Sequence, residues 1–105
     1  MARATEHGEI WEADLDKRRP VVVVSRDDVQ GRRESATVAA ITTAIRDIPT
    51  FVALDHRDGF PHASAINCDD LSTIRKARLA RRVGRLSQAK LDSLDDALRF
   101  ALQLR

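Results

Sequence analysis

A chain of 105 residues is long enough for one hydrophobic core and too short for two. Hydrophobic side chains at 43% and charged ones at 32% are ordinary for a globular protein, and no repeat, low-complexity tract or linker interrupts them. The formal charge of +2 is too small to argue for nucleic-acid binding by itself, and 4% aromatic residues without a tyrosine argue against a protein that reads single strands by stacking bases on aromatic platforms.

Residues 1–7 are mixed in polarity, carry no apolar signal-like stretch, and are expected to be disordered. No run in the chain is long enough to span a bilayer, so no membrane role is expected. From Glu9 to Asp16 the pattern alternates: Trp11, Ala13 and Leu15 point one way and Glu12, Asp14 and Asp16 the other, as in a half-buried strand. The lone Trp11 reads as a core or interface anchor. Lys17 and Arg18 then turn the chain into Arg19-Pro20 and four consecutive valines, Val21 to Val24. Branched side chains lose little freedom in an extended backbone, so this is a strand buried on both faces, with Pro20 tolerated at its start. Nothing in the apolar run explains Arg19 at its mouth, where a permanent charge is held by a rigid element beside a packed interior. Arg19 is the leading functional candidate.

Ser25 to Glu34 is charged and contains Gly31, which predicts a mobile exposed loop whose Arg26, Arg32 and Arg33 are solvated by default. Ala36 to Ile41 is a third buried strand, ending at Thr42 and Thr43, whose hydroxyls commonly satisfy nearby backbone groups. Ala44 to Ile48 is a link, and Pro49 opens a fourth strand, Thr50 to Leu54. His56-Arg57-Asp58-Gly59 is turn chemistry. His56, Asp58, His62 and Cys68 match no zinc spacing, and neither a metal nor another cofactor is expected. A single cysteine, Cys68, precludes an intrachain disulfide and suits a reducing cytoplasm. Ser64 to Cys68 is a fifth strand, and Asp69-Asp70-Leu71-Ser72-Thr73-Ile74 leads out of it.

Leu71 to Leu86 is ambiguous in period: Leu79, Val83 and Leu86 fit a helix, while Gly84 weakens one and Arg82 to Leu86 fits a strand. Arg75, Lys76, Arg78, Arg81, Arg82 and Arg85 follow one another with no acid between them, either as a solvated positive face or as a patch that tracks phosphates. Ser87 is a good N-cap, and Leu91, Leu94, Leu98, Ala101 and Leu102 form one stripe of a helix of about four to five turns. Lys90 stands where a capping box would have Glu, so half of that motif is present. Short strands, one terminal helix and no βαβ alternation predict a single domain over 1–105, mainly β with helices (α+β), built as a small antiparallel barrel or sandwich.

The stretches GEIWEADLD, RRPVVVVSRD, ATVAAITTAIR, IPTFVALD, INCDDLSTIRKARL and GRLSQAKLDSLDDALRFAL, taken in that order, resemble the MazF/PemK family of toxin endoribonucleases from Gly8 to Leu104. The resemblance implies an SH3-like, CcdB-type barrel with a C-terminal helix, a homodimer, and a short helix followed by a strand between Leu71 and Leu86. It implies metal-independent cleavage of single-stranded RNA, and inhibition by an antitoxin protein whose disordered tail folds over the dimer groove. By the same resemblance Arg19 and Thr42 are catalytic, and Lys17, Arg18, Thr43 and Ser64 lie at or beside RNA-binding positions. Asp69 and Asp70 fall where the family places base-reading groups, and a carboxylate can accept from exocyclic amines; pairing with the basic stretch that follows is the other reading. Two departures stand out. The turn Asp16-Lys17-Arg18 is shorter than in many members, and Ser72 and Arg75 replace an arginine and an acid expected around Thr73-Ile74. A planar guanidinium can grip two phosphate oxygens, and a hydroxyl can hold a third oxygen or the leaving group. The alternative is a non-nucleolytic binding protein on the same barrel, such as a gyrase poison of the CcdB type. The presence of both Arg19 and Thr42 favours the nuclease.

Overall fold

The computed structural model describes residues 2–105, and Met1 lies outside them. Six strands precede one helix: β1 (Glu9–Asp14), β2 (Arg18–Val23), β3 (Ser35–Thr42), β4 (Phe51–Leu54), β5 (Ser64–Arg75), β6 (Leu79–Arg85) and α1 (Gln88–Leu102). All pairings are antiparallel, in the order β4-β5-β3-β2-β1-β6, and the sheet curls into a half-barrel with α1 packed against β4 and β5.

The valine strand is the hinge of the packing. Val22 faces the larger core with Ile10, Ala39, Ile66, Leu94 and Ala97, while Val21 and Val23 face a smaller one with Trp11, Val38 and Leu79. A strand covered on both sides has no solvent face to mark with polar residues, which is why β2 shows no alternation after Pro20. Trp11 is buried and its indole N–H donates to Glu9 Oε1 at 3.1 Å. On α1, Ser87 Oγ accepts from the Lys90 amide at 3.2 Å, and Leu94 is the fully buried centre of the stripe. The stripe ends sooner than expected, since Leu102 is 52% exposed.

β5 is much longer than the five residues expected. It pairs with β3 from Ala65↔Thr42 to Arg75↔Ser35, and the ladder jumps from Asn67↔Ala40 to Leu71↔Ala39, leaving Cys68, Asp69 and Asp70 as an irregular insert. Such an insert bends the strand and re-aims its side chains. The helix expected after Leu71 shrinks to one 3₁₀ turn, Lys76–Arg78, before β6. The reason is that Leu79 and Leu86 serve different cores and Val83 is exposed, so the three never share a helical face.

Two further expectations are corrected, and an open alternative is decided. Residues 2–7 are tied down rather than disordered: Thr5 is buried and exchanges backbone hydrogen bonds with Asp28, and the Arg3 guanidinium lies 5.5 Å from the centre of the Trp11 ring. The Ser25–Glu34 loop is anchored by the same Asp28, whose carboxylate accepts from the Arg32 and Arg33 amides and pairs with the buried Lys76 ammonium at 2.5 Å. Gly31 turns here with φ +61°, and a Cβ on it would sit 2.0 Å from the Ala2 carbonyl oxygen. The basic run is largely spoken for: beyond Lys76, Arg81 pairs with Glu12, Arg82 with Glu9 and Arg85 with Glu6, so it is a neutralised face and not an open patch.

Candidate active site

Arg19 and Thr42 sit on neighbouring strands. The β2–β3 ladder runs from Val23↔Val38 to Val21↔Ala40, and Arg19 and Thr42 each lie two residues beyond its last pair, on the adjoining ends of the two strands. At this place a cleft of about 620 Å³ opens. Its walls are the β1–β2 turn (Asp16, Lys17), the start of β2 (Arg18, Arg19), the end of β3 with the residue after it (Thr42, Thr43), and Ser64, Asp70 and Ser72 of β5. Of the residues singled out in the sequence, Lys17, Arg18, Arg19, Thr42, Thr43, Ser64 and Asp70 are therefore brought together.

Asp69 is the exception. Its carboxylate accepts from Thr50 Oγ1 at 2.6 Å, toward the β4 end of the sheet, while its neighbour lines the cleft. Successive side chains on extended backbone point to opposite sides, so two adjacent aspartates do not both reach one groove. Nor do they pair with the following basic run, whose ion pairs go to Glu6, Glu9, Glu12 and Asp28.

The donors are arranged with some economy. Arg19 Nε and Nη2 donate to the two carboxylate oxygens of Asp16 at 2.9 and 3.0 Å. Those hydrogen bonds hold the Asp16 carboxyl well below the usual carboxylate range and raise the Arg19 guanidinium further above its own. Arg18 is drawn toward β1, with Nε donating to Asp14 at 2.7 Å and Nη1 3.7 Å from Glu12. Thr42 Oγ1 accepts from the Ala44 amide at 3.0 Å, which fixes the oxygen and leaves the hydroxyl proton to donate elsewhere. Ser64 Oγ donates to the His62 carbonyl at 3.1 Å and so offers the cleft an acceptor.

Two lining residues escaped the sequence reading as functional groups, Asp16 and Ser72. For Asp16 a signal existed: an acid three residues before the candidate arginine, across a reversal too tight to let them part. Ser72 stood out only as a departure from the family pattern, because its place in the cleft depends on the irregular insert in β5.

A curled antiparallel sheet with a C-terminal helix, bringing a guanidinium and a hydroxyl into one cleft, defines a small β-barrel protein. The chain matches the family model of the PemK-like, MazF-like toxins of type II toxin-antitoxin systems over residues 6–102, and it belongs to that family. It is 36% identical over 105 residues to the probable endoribonuclease MazF5 of Mycobacterium tuberculosis, covering 97% of this chain and 96% of that one. Among solved structures it is similar to the Mycobacterium tuberculosis toxin MazF-mt6, with a TM-score of 0.86, 35% identity, and 92% and 98% of the two chains covered. A mycobacterial endoribonuclease in complex with its cognate antitoxin superposes with a TM-score of 0.85 at 27% identity, covering 96% and 97%.

Proposed function

We infer that the chain is the toxin of a type II pair and an endoribonuclease that cuts single-stranded RNA without a metal. The ribose 2′-hydroxyl attacks the adjacent phosphorus and the bond to the 5′-oxygen breaks. The products are a 2′,3′-cyclic phosphate and a 5′-hydroxyl, with no water consumed and no net proton change. Charge builds on the non-bridging oxygens as the phosphorane forms, and donors aimed at that charge lower the barrier most. Arg19 supplies the fork and Thr42 the hydroxyl; Lys17, Arg18, Thr43 and Ser64 steady the strand, and Asp70 accepts from an exocyclic amine of a splayed base. The observation that carries this reading is the juxtaposition of Arg19 and Thr42 in one cleft, each with a donor not used by the fold.

The exposed apolar residues at the end of α1 and just after it, Phe100, Leu102 and Leu104, each more than half exposed, support a homodimer. The complexed mycobacterial relative supports a protein antitoxin as inhibitor. RNA as substrate and a lone reduced Cys68 are in keeping with the cytoplasm. The test is cleavage of a long single-stranded RNA in EDTA by the wild type and by Arg19→Ala, with new 5′ ends mapped. Discrete cuts that vanish in the variant are expected. Intact RNA from a growth-inhibiting wild type would instead favour a gyrase poison or another binding protein on the same barrel.

A further inference from the structure

We propose that Asp16 is a positioning residue for Arg19: its carboxylate holds the guanidinium by the Nε–Nη2 side and leaves the Nη1–Nη2 end as the fork presented to the scissile phosphate. This rests on the ribonuclease reading above and extends it to a residue outside the Arg–Thr pair.

A guanidinium has two edges that can take an oxyanion bidentately, a side edge built from Nε and one terminal nitrogen, and an end edge built from both terminal nitrogens. Asp16 occupies the side edge, at 2.9 and 3.0 Å. The remaining N–H groups all lie at the other end, so carboxylate and phosphate need not compete for the same donors. Both residues line the cleft, and the turn between them is closed by a hydrogen bond from the Leu15 amide to the Lys17 carbonyl at 3.1 Å. The reach from Asp16 to Arg19 is thereby set by backbone and not by a flexible loop.

The fold does not need this pair. The Arg19 and Asp16 side chains are 46% and 69% exposed, and ion pairs that open to water add little to stability. A carboxylate next to the cation that meets the phosphate also repels the RNA, so it weakens binding if it does nothing else. Its use is orientation: an arginine tethered at one edge keeps its free edge aimed, and aim governs the rate of the chemical step more than the affinity. Arg18 has no such arrangement toward the cleft, since its Nε is committed to Asp14 on the neighbouring strand.

The expected signature is a split between rate and affinity. Full-length Asp16→Ala is compared with the wild type in single-turnover cleavage at saturating enzyme, and in binding to an RNA carrying a 2′-deoxy sugar at the cut site. The cleavage rate should fall about ten- to a hundredfold while binding is unchanged or tighter. Asp16→Glu should recover part of the rate, and removing Asp16 from an Arg19→Ala protein should cost nothing further, because the effect passes through Arg19. An unchanged or faster rate in Asp16→Ala, beside a wild type that cuts, overturns the inference alone; so does an equal rate loss from Asp16 removal in the Arg19→Ala background. Should Asp16→Ala lose its fold, the isosteric Asp16→Asn carries the same comparison. A wild type that leaves RNA whole overturns the ribonuclease reading and this inference together.

Discussion

Arg19→Lys separates a fork from a point charge. Arg19 divides its donors between Asp16, which takes Nε and one N–H of Nη2, and the cleft, which is left with the end edge. Lysine offers three N–H bonds radiating from a single atom. With Asp16 69% exposed and within reach of the turn, that ammonium settles on the carboxylate, and no second nitrogen remains to span two phosphate oxygens. The charge of the site is unchanged, so RNA binding should hold within a few fold while the preorganised donors vanish. Removal of one such donor elsewhere costs about 10²–10³ in rate, and the lysine variant should fall in that range, close to Arg19→Ala. The assay is single-turnover cleavage in EDTA, with affinity measured separately on an uncleavable RNA. A lysine variant within threefold of the wild-type rate would refute the fork, and the charge alone would then suffice.

Three other outcomes are expected. Thr42→Val removes a hydroxyl whose oxygen is already anchored by the Ala44 amide, so the cleavage rate should drop about 10²-fold while Thr42→Ser stays near wild type in the same assay. Asp70→Asn should change the recognised bases, seen as shifted 5′ ends, whereas Asp69→Asn should leave the cut sites where they are, because Asp69 is turned to Thr50; the reverse pattern would mean that the two aspartates are assigned to the wrong sides. The Asp28 carboxyl is held below the usual range chiefly by its hydrogen bond from Lys76. A carboxyl depressed by folding contributes stability that is fully present above its unfolded pKa, near 3.9, and is lost as pH falls through its folded value. The urea midpoint should therefore be flat near neutrality and decline below about pH 4, with a shallower decline in Asp28→Asn.

The parts of the fold that were legible are those where local pattern and tertiary environment agree. Four valines after a proline announce a doubly covered strand because no polar residue competes for either face, and Val22 opposite Val21 and Val23 is that arrangement in three dimensions. Ser87 and the Leu91–Leu94–Leu98 spacing likewise locate α1. What stayed hidden is decided by partners far away in the chain. Lys76 looked like one more surface cation, yet it is 2% exposed because Asp28, 48 residues earlier, and the Arg3 carbonyl receive its ammonium. The same Asp28 turns a loop that reads as mobile into an anchored one, and it carries the N-terminal residues with it.

For the site, the legible element was the misfit. An arginine at the mouth of a valine strand has no reason in the apolar pattern to be there, so chemistry alone points to Arg19 as a candidate. Thr42 could not be found that way, because a threonine closing a strand is ordinary; only the family resemblance singled it out, and only the folded sheet brings it into one cleft with Arg19. Asp16 was hidden by its own regularity, as the outward member of an alternating strand. The short turn between β1 and β2 is what brings Asp16 to Arg19. A longer loop would give an acid in that place many positions and the arginine no fixed one. Shortening the path between two residues is a way of aiming a side chain without burying it.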